Sequence, residues 1–154
     1  MADIWILVAD RARARLFSLD EGAARLNEIE DFVNTAARIP GHERERAPPP
    51  RAHDRLGEGR HAIEAHTSPR EKAALQFAAM LGSRLKHAHD EQRYRDLVLI
   101  APPRFLGALN TALGARLGEA VLLRVSKNLT RSPPNEIREV LPRRLFKRHA
   151  IANG

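Results

Sequence analysis

Short apolar runs with a two-residue period open the chain. Asp3 to Ala9, Ala12 to Leu19 and Ala24 to Val33 read as strands, joined by links short enough for hairpins. In the second run Arg11, Arg13 and Arg15 share one side while Ala12, Ala14 and Leu16 share the other. Small residues on that inner side allow a helix to pack closely, and Asp10-Arg11 supplies the turn. After a polar gap the period lengthens. Ser68 to His89 reads as a helix, with Ser68 as N-cap, Pro69 at the first helical position and Glu71 completing a capping box. Leu75, Ala78, Leu81, Leu85 and Ala88 form its buried stripe. Leu97 to Ala101 then reads as strand, Arg104 to Leu113 as a helix ended by a left-handed Gly114, and Val121 to Val125 as strand. From Pro134 a last helix turns Ile137, Val140 and Leu141 inward until Pro142 ends or kinks it. Three antiparallel strands followed by two crossover units, β-β-β-α-β-α-β-α, predict an α/β fold with a single mixed five-stranded sheet.

The gap itself, about 36–67, holds only three large aliphatics (Ile39, Leu56, Ile63) against four prolines, three glycines and eleven charged residues. So little apolar surface cannot offset the entropy of ordering the segment. Both flanks belong to the same sheet pattern. The gap is therefore a flexible insertion within a single domain, 1–154, that ends in a basic tail from about residue 143.

Charge sharpens this picture. The net charge is +7, and residues 124–154 carry eight Lys/Arg against two acids, whereas residues 1–35 carry four against seven. The C-terminal end is the electrostatic pole, which points to an anionic polymer such as RNA, although arginine-rich usage throughout also raises the total. Absence of cysteine excludes disulfides and thiol catalysis. The apolar run Ile4 to Ala9 is too short to span a membrane and has no basic flank, so the expected location is the cytoplasm. The nucleic-acid-binding candidates are Arg11, Arg13 and Arg15 on the hairpin and Arg55 and Arg60 in the insertion. Lys127, Arg131, Arg143, Arg144, Lys147 and Arg148 join them from the C-terminal end. For the arginine row, a plain solvated face is the simpler reading.

Candidate chemistry is sparse. The element order is that of ribonuclease-H-like folds, whose nucleases need carboxylates converging on two metals. Here the fourth strand ends Ile100-Ala101-Pro102-Pro103 without one, and Asp96 sits at its opposite end. His87 and His89 point about 200° apart on a helix and cannot share an ion. His61 and Glu64, in the insertion, are the weak candidates for general acid/base or metal-ligand roles, though no known ligand spacing is met. No cofactor motif occurs. Lys127-Asn128-Leu129-Thr130 follows the fifth strand, the usual ligand position of an α/β sheet, but a turn with Thr130 or Ser132 as caps is the simpler reading.

Several segments together resemble the bacterial host attachment protein family. They are Trp5-Ile6-Leu7-Val8-Ala9-Asp10 with Ala12, Ala14, Arg15 and Phe17; Arg60-His61-Ala62-Ile63-Glu64 leading to Pro69-Arg70-Glu71; Leu99-Ile100-Ala101-Pro102-Pro103 with Leu106-Gly107; and Lys127-Asn128-Leu129-Thr130. That family is similar to the middle domain of archaeo-eukaryotic peptide release factors. The resemblance implies that fold and a ribosome, tRNA or RNA partner. It also implies a Gly-Gly-Gln tip in the insertion, but residues 36–67 contain no glutamine, and Glu58 separates Gly57 from Gly59. The leading expectation is thus RNA or ribosome binding without peptidyl-tRNA hydrolysis. A hydrolase using His61 and Glu64, and a protein-interaction module with an indirect role in host-cell attachment, are the alternatives.

Overall fold

Alternation along the first strand sorts its side chains into two separate cores. In the computed structural model, which describes residues 2–19, 25–38 and 68–146, strand β1 (Ala2–Ala9) buries Trp5, Leu7 and Ala9 on one face and Ile4, Ile6 and Val8 on the other. A strand apolar on both sides belongs at the centre of a sheet covered on both faces. It lies there, in the order β3-β2-β1-β4-β5. Strands β2 (Arg13–Leu19) and β3 (Leu26–Val33) extend the sheet antiparallel on one side. Strands β4 (Tyr94–Ile100) and β5 (Val121–Val125) extend it parallel on the other. The α/β fold with one mixed five-stranded sheet is as the sequence predicts.

Helices α1 (Pro69–Asp90) and α2 (Pro103–Gly118) cover the first face. The short α3 (Pro134–Glu139) and the chain after it cover the second, through Ile137, Leu141 and Leu145. Residues 143–146 are helical and Leu145 is buried beneath the sheet, while Arg143 and Arg144 face solvent.

Three details differ from the sequence reading. Leu75 does not belong to the buried stripe of α1. It is 47% exposed, and the stripe runs instead through Ala73, Phe77, Leu81 and Leu85, with Ala78, Gly82 and Ala88 beside it. Gly114 has the expected positive φ of 76° and breaks the helical run where expected, but helix resumes beyond it as far as Gly118. A further turn follows because Leu117 must reach the core, where it is buried beside Leu113. Strand β4 begins three residues early, at Tyr94, whose ring stacks on Trp5 at 4.6 Å and whose hydroxyl donates to the Leu85 carbonyl at 2.8 Å.

The predicted cap of α1 is present, since Ser68 Oγ accepts from the Glu71 amide at 3.0 Å. Ser68→Ala removes that bond and should lower stability by about 1 kcal/mol, read as a shift in urea midpoint at unchanged slope. An unchanged midpoint would mean that the cap contributes nothing.

Candidate functional site at the carboxyl edge of the sheet

Parallel neighbours β1 and β4 end on the same edge, but the chain leaves them in opposite directions. After β1 it turns back into β2, and after β4 it rises into α2. Such a parting of connections opens a crevice, the recurrent ligand position of α/β sheets. Here it forms a cavity of about 450 Å³, lined by residues that directly follow the parallel strands (Asp10, Pro102 and, near β5, Asn128) and by the first turns of α1 and α2.

Asp10 builds the crevice floor. One carboxylate oxygen accepts from the amides of Ala12 and Arg13 at 2.8 and 2.9 Å, which shapes the turn out of β1. The other accepts from Asn128 Nδ2 at 3.1 Å and lies 3.1 Å from the Thr130 hydroxyl. That hydroxyl is also 2.8 Å from Asn128 Oδ1, and its single proton serves one acceptor at a time. Asn128 Oδ1 further accepts from the Thr130 amide, so the loop after β5 is folded onto the β1–β2 turn. The Lys127-Asn128-Leu129-Thr130 segment is therefore a turn, but neither Thr130 nor Ser132 caps α3, whose N-cap position is Pro133 with no side-chain cap bond. Thr130 is buried and structural, while Asn128 is exposed and lines the cavity.

Asn34 braces the β1–β2 turn against α1. Its buried side-chain amide donates to the carbonyls of Arg11 and Ala73, at 2.9 and 3.2 Å, tying the β1–β2 turn to the first turns of α1.

The predicted cations divide into groups. Arg11 is exposed and lines the cavity, Lys127 and Arg131 are exposed in the loop that carries Asn128, and Arg13 is exposed near Asp31. Arg15 is turned inward. It pairs with Glu28 at 2.8 Å, donates to the carbonyls of Thr130 and Ser132 at 3.2 and 2.6 Å, and lies over the Phe17 ring. Its place on the arginine side of β2 is as expected, but its guanidinium holds the fold together. Arg143 and Arg144 lie away from the cavity, under the second face. Arg55, Arg60, His61, Glu64, Lys147 and Arg148 fall outside the described residues.

Sequence reading missed Arg70 and Arg104, each in the first turn of a helix that opens on the cavity. The available signal was positional: a basic residue just after the start of each crossover helix. Arg11, Arg70, Arg104, Lys127 and Arg131 form no salt bridge with another described residue. Among the described residues, no group of three His, Asp or Glu side chains is arranged to hold a metal ion.

The Arg15 pair also sets local titration. Hydrogen bonding to Arg15 pulls the Glu28 carboxyl from its ordinary 4.5 down to about 2, while bonding to Glu28 raises Asp31. Glu28 then contributes stability that is complete above about pH 4.5 and is lost as pH falls toward 2. Asp31 has the opposite sign, because the fold favours its protonated form. The stability gap between wild type and Glu28→Gln should therefore shrink between about pH 5 and pH 3. Denaturant midpoints measured across that range give the check, and a gap that widens on acidification would contradict the pairing.

The sequence profile of a family described as "Protein required for attachment to host cells" matches residues 5–141. Comparison with curated proteins finds no match. Among solved structures, the crystal structure of the archaeal translation termination factor aRF1 superposes with a TM-score of 0.52 at 16% identity. The alignment covers 97% of this chain and 38% of the factor, so the chain spans well under half of that protein's length. A second, described only as an archaeal protein, aligns with a TM-score of 0.41 at 15% identity, over 97% of this chain and 40% of its own. At such identity the likeness to the termination factor is one of fold.

Proposed function

The chain belongs to the family of proteins required for attachment to host cells, and from that premise we propose that its molecular activity is binding of RNA, in the ribosome or as tRNA. One observation carries the reading. Four separate segments bring Arg11, Arg70, Arg104, Lys127 and Arg131 to the carboxyl edge of the sheet, and none is neutralised by an ion pair with a described residue. Arginines in this state suit phosphate oxygens, which their planar forks bind in pairs. The termination factor that shares the fold acts in translation, as its name says, and that setting suits a phosphate-binding edge. Lack of a Gly-Gly-Gln tip favours binding without peptidyl-tRNA hydrolysis. Among the described residues no helix is long and apolar enough to cross a membrane.

The test is direct. Fluorescently labelled tRNA and a short single-stranded RNA are titrated with the protein at low salt, and ribosomes are sedimented with it. Retention on ribosomes or RNA that weakens steeply with salt supports the reading. No association at low salt, where electrostatic binding is strongest, overturns it.

A further inference from the structure

We propose that the cavity at the carboxyl edge seats one nucleoside monophosphate unit, free or as the phosphorylated end of an RNA strand. This inference rests on the reading of that edge as a phosphate-binding surface and names what enters it. A surface that only follows a phosphodiester backbone needs no hollow. This one has a hollow of about 450 Å³, large enough for a small ligand and within the roughly 300–1,000 Å³ of ligand sites.

Its walls are of two kinds. Leu75, Phe105 and Ala108 give an apolar side, and the 47% exposure of Leu75 is explained by its place at this mouth rather than in the core. Arg11, Arg70 and Arg104 give a cationic rim. The start of α2 adds donors. It has no side-chain cap, so the amides of Arg104 and Phe105 are left without one, and Pro103 between cap and rim has no amide to offer. An apolar wall beside phosphate donors suits a base joined to a phosphate. Neither inorganic phosphate nor a nucleoside alone would use both.

The two carboxylates fit the same ligand. Asp10 is already surrounded by four donor groups and presents little free acceptor. Glu71 is exposed at the wall and is an acceptor for ribose hydroxyls, which donate.

Isothermal titration of the whole protein with 5′-AMP should show saturable one-to-one binding. Adenosine and inorganic phosphate should each bind at least about tenfold more weakly, since each lacks half of the contacts. Arg104→Gln should weaken AMP by about tenfold or more through loss of a charge-assisted bond. Ala108→Phe, which fills the hollow from α2, should abolish AMP binding while the unfolding midpoint shows that the fold is retained. If Ala108→Phe does not fold, Leu75→Trp narrows the mouth from an exposed position and serves instead. Competition by a 5′-phosphorylated RNA, but not by its 5′-hydroxyl form, identifies the end of a strand as the source. Competition by neither identifies the free nucleotide. Absence of saturable AMP binding at millimolar concentration overturns the cavity assignment. Salt-sensitive RNA binding that persists in that case leaves the wider surface standing, whereas its loss as well removes both.

Discussion

Replacing Gly82 by Leu should unfold the domain or reduce its stability by about 3 kcal/mol or more. Gly82 lies where α1 crosses α2. A Cβ built on it would sit 2.9 Å from the Ala112 Cβ, 3.1 Å from the Ala112 carbonyl oxygen and 3.2 Å from its carbonyl carbon. Two of those three atoms are backbone and cannot rotate away, so α2 would have to retreat from the sheet and loosen Leu109 and Leu113. Gly82→Ala sets two effects against each other. It gains about 1 kcal/mol of helix propensity and incurs about 1–3 kcal/mol of overlap, so a modest net loss is expected. Adding Ala112→Gly removes the shortest contact but leaves the carbonyl contacts, and recovery should be partial. Trp5, the only tryptophan, is buried against Tyr94 and reports each transition by fluorescence. A Gly82→Leu protein as stable as wild type would show that the helices do not meet there.

That crossing marks a boundary of what the sequence can tell. Periodicity placed the three early strands and the crossover order, and the capping residues Ser68, Pro69 and Glu71 placed the start of α1, because each depends on neighbours within a few residues. Leu75 shares the three- and four-residue spacing of its helix, yet it falls beyond the sheet's edge, and spacing does not reveal where an edge lies. Tyr94 was missed as strand because polar Arg95 and Asp96 interrupt the apolar run, although the residue packs on Trp5. The cavity was illegible for a stronger reason. Its residues come from the turn after β1, the starts of two helices and the loop after β5, and only the strand order brings them together. Arg15 makes the same point. Its position in the arginine row was plain, but Glu28 and the carbonyls beyond β5 that consume its guanidinium were not.

The second large effect is electrostatic. Changing Arg11, Arg70, Arg104, Lys127 and Arg131 together to Gln should weaken RNA binding by about a hundredfold or more at low salt. It should also flatten the slope of log affinity against log salt by up to about three to four units, if all five contact a single strand's phosphates. All five side chains are exposed, so the thermal midpoint should change little. Arg143→Gln with Arg144→Gln is the comparison, because these lie beneath the opposite face. A slope unchanged by the five-fold variant but flattened by the pair would move the binding surface to the C-terminal pole that the charge distribution suggested.

Asp10 and Arg15 reach partners more than a hundred positions along the chain, at Asn128, Thr130 and Ser132. A chain being synthesised makes the first hairpin long before these partners exist. During that interval β1 still awaits β4, and Ile4, Ile6 and Val8 await Ile137, Leu141 and Leu145. Pairings so distant in sequence form slowly, and each local gain comes only after a long loop has closed. The carboxyl edge is consequently among the last parts of the molecule to mature. A nascent chain that has not yet produced residues 128–132 carries arginines but no assembled crevice, so binding competence arrives with completion of the fold rather than with its first strands.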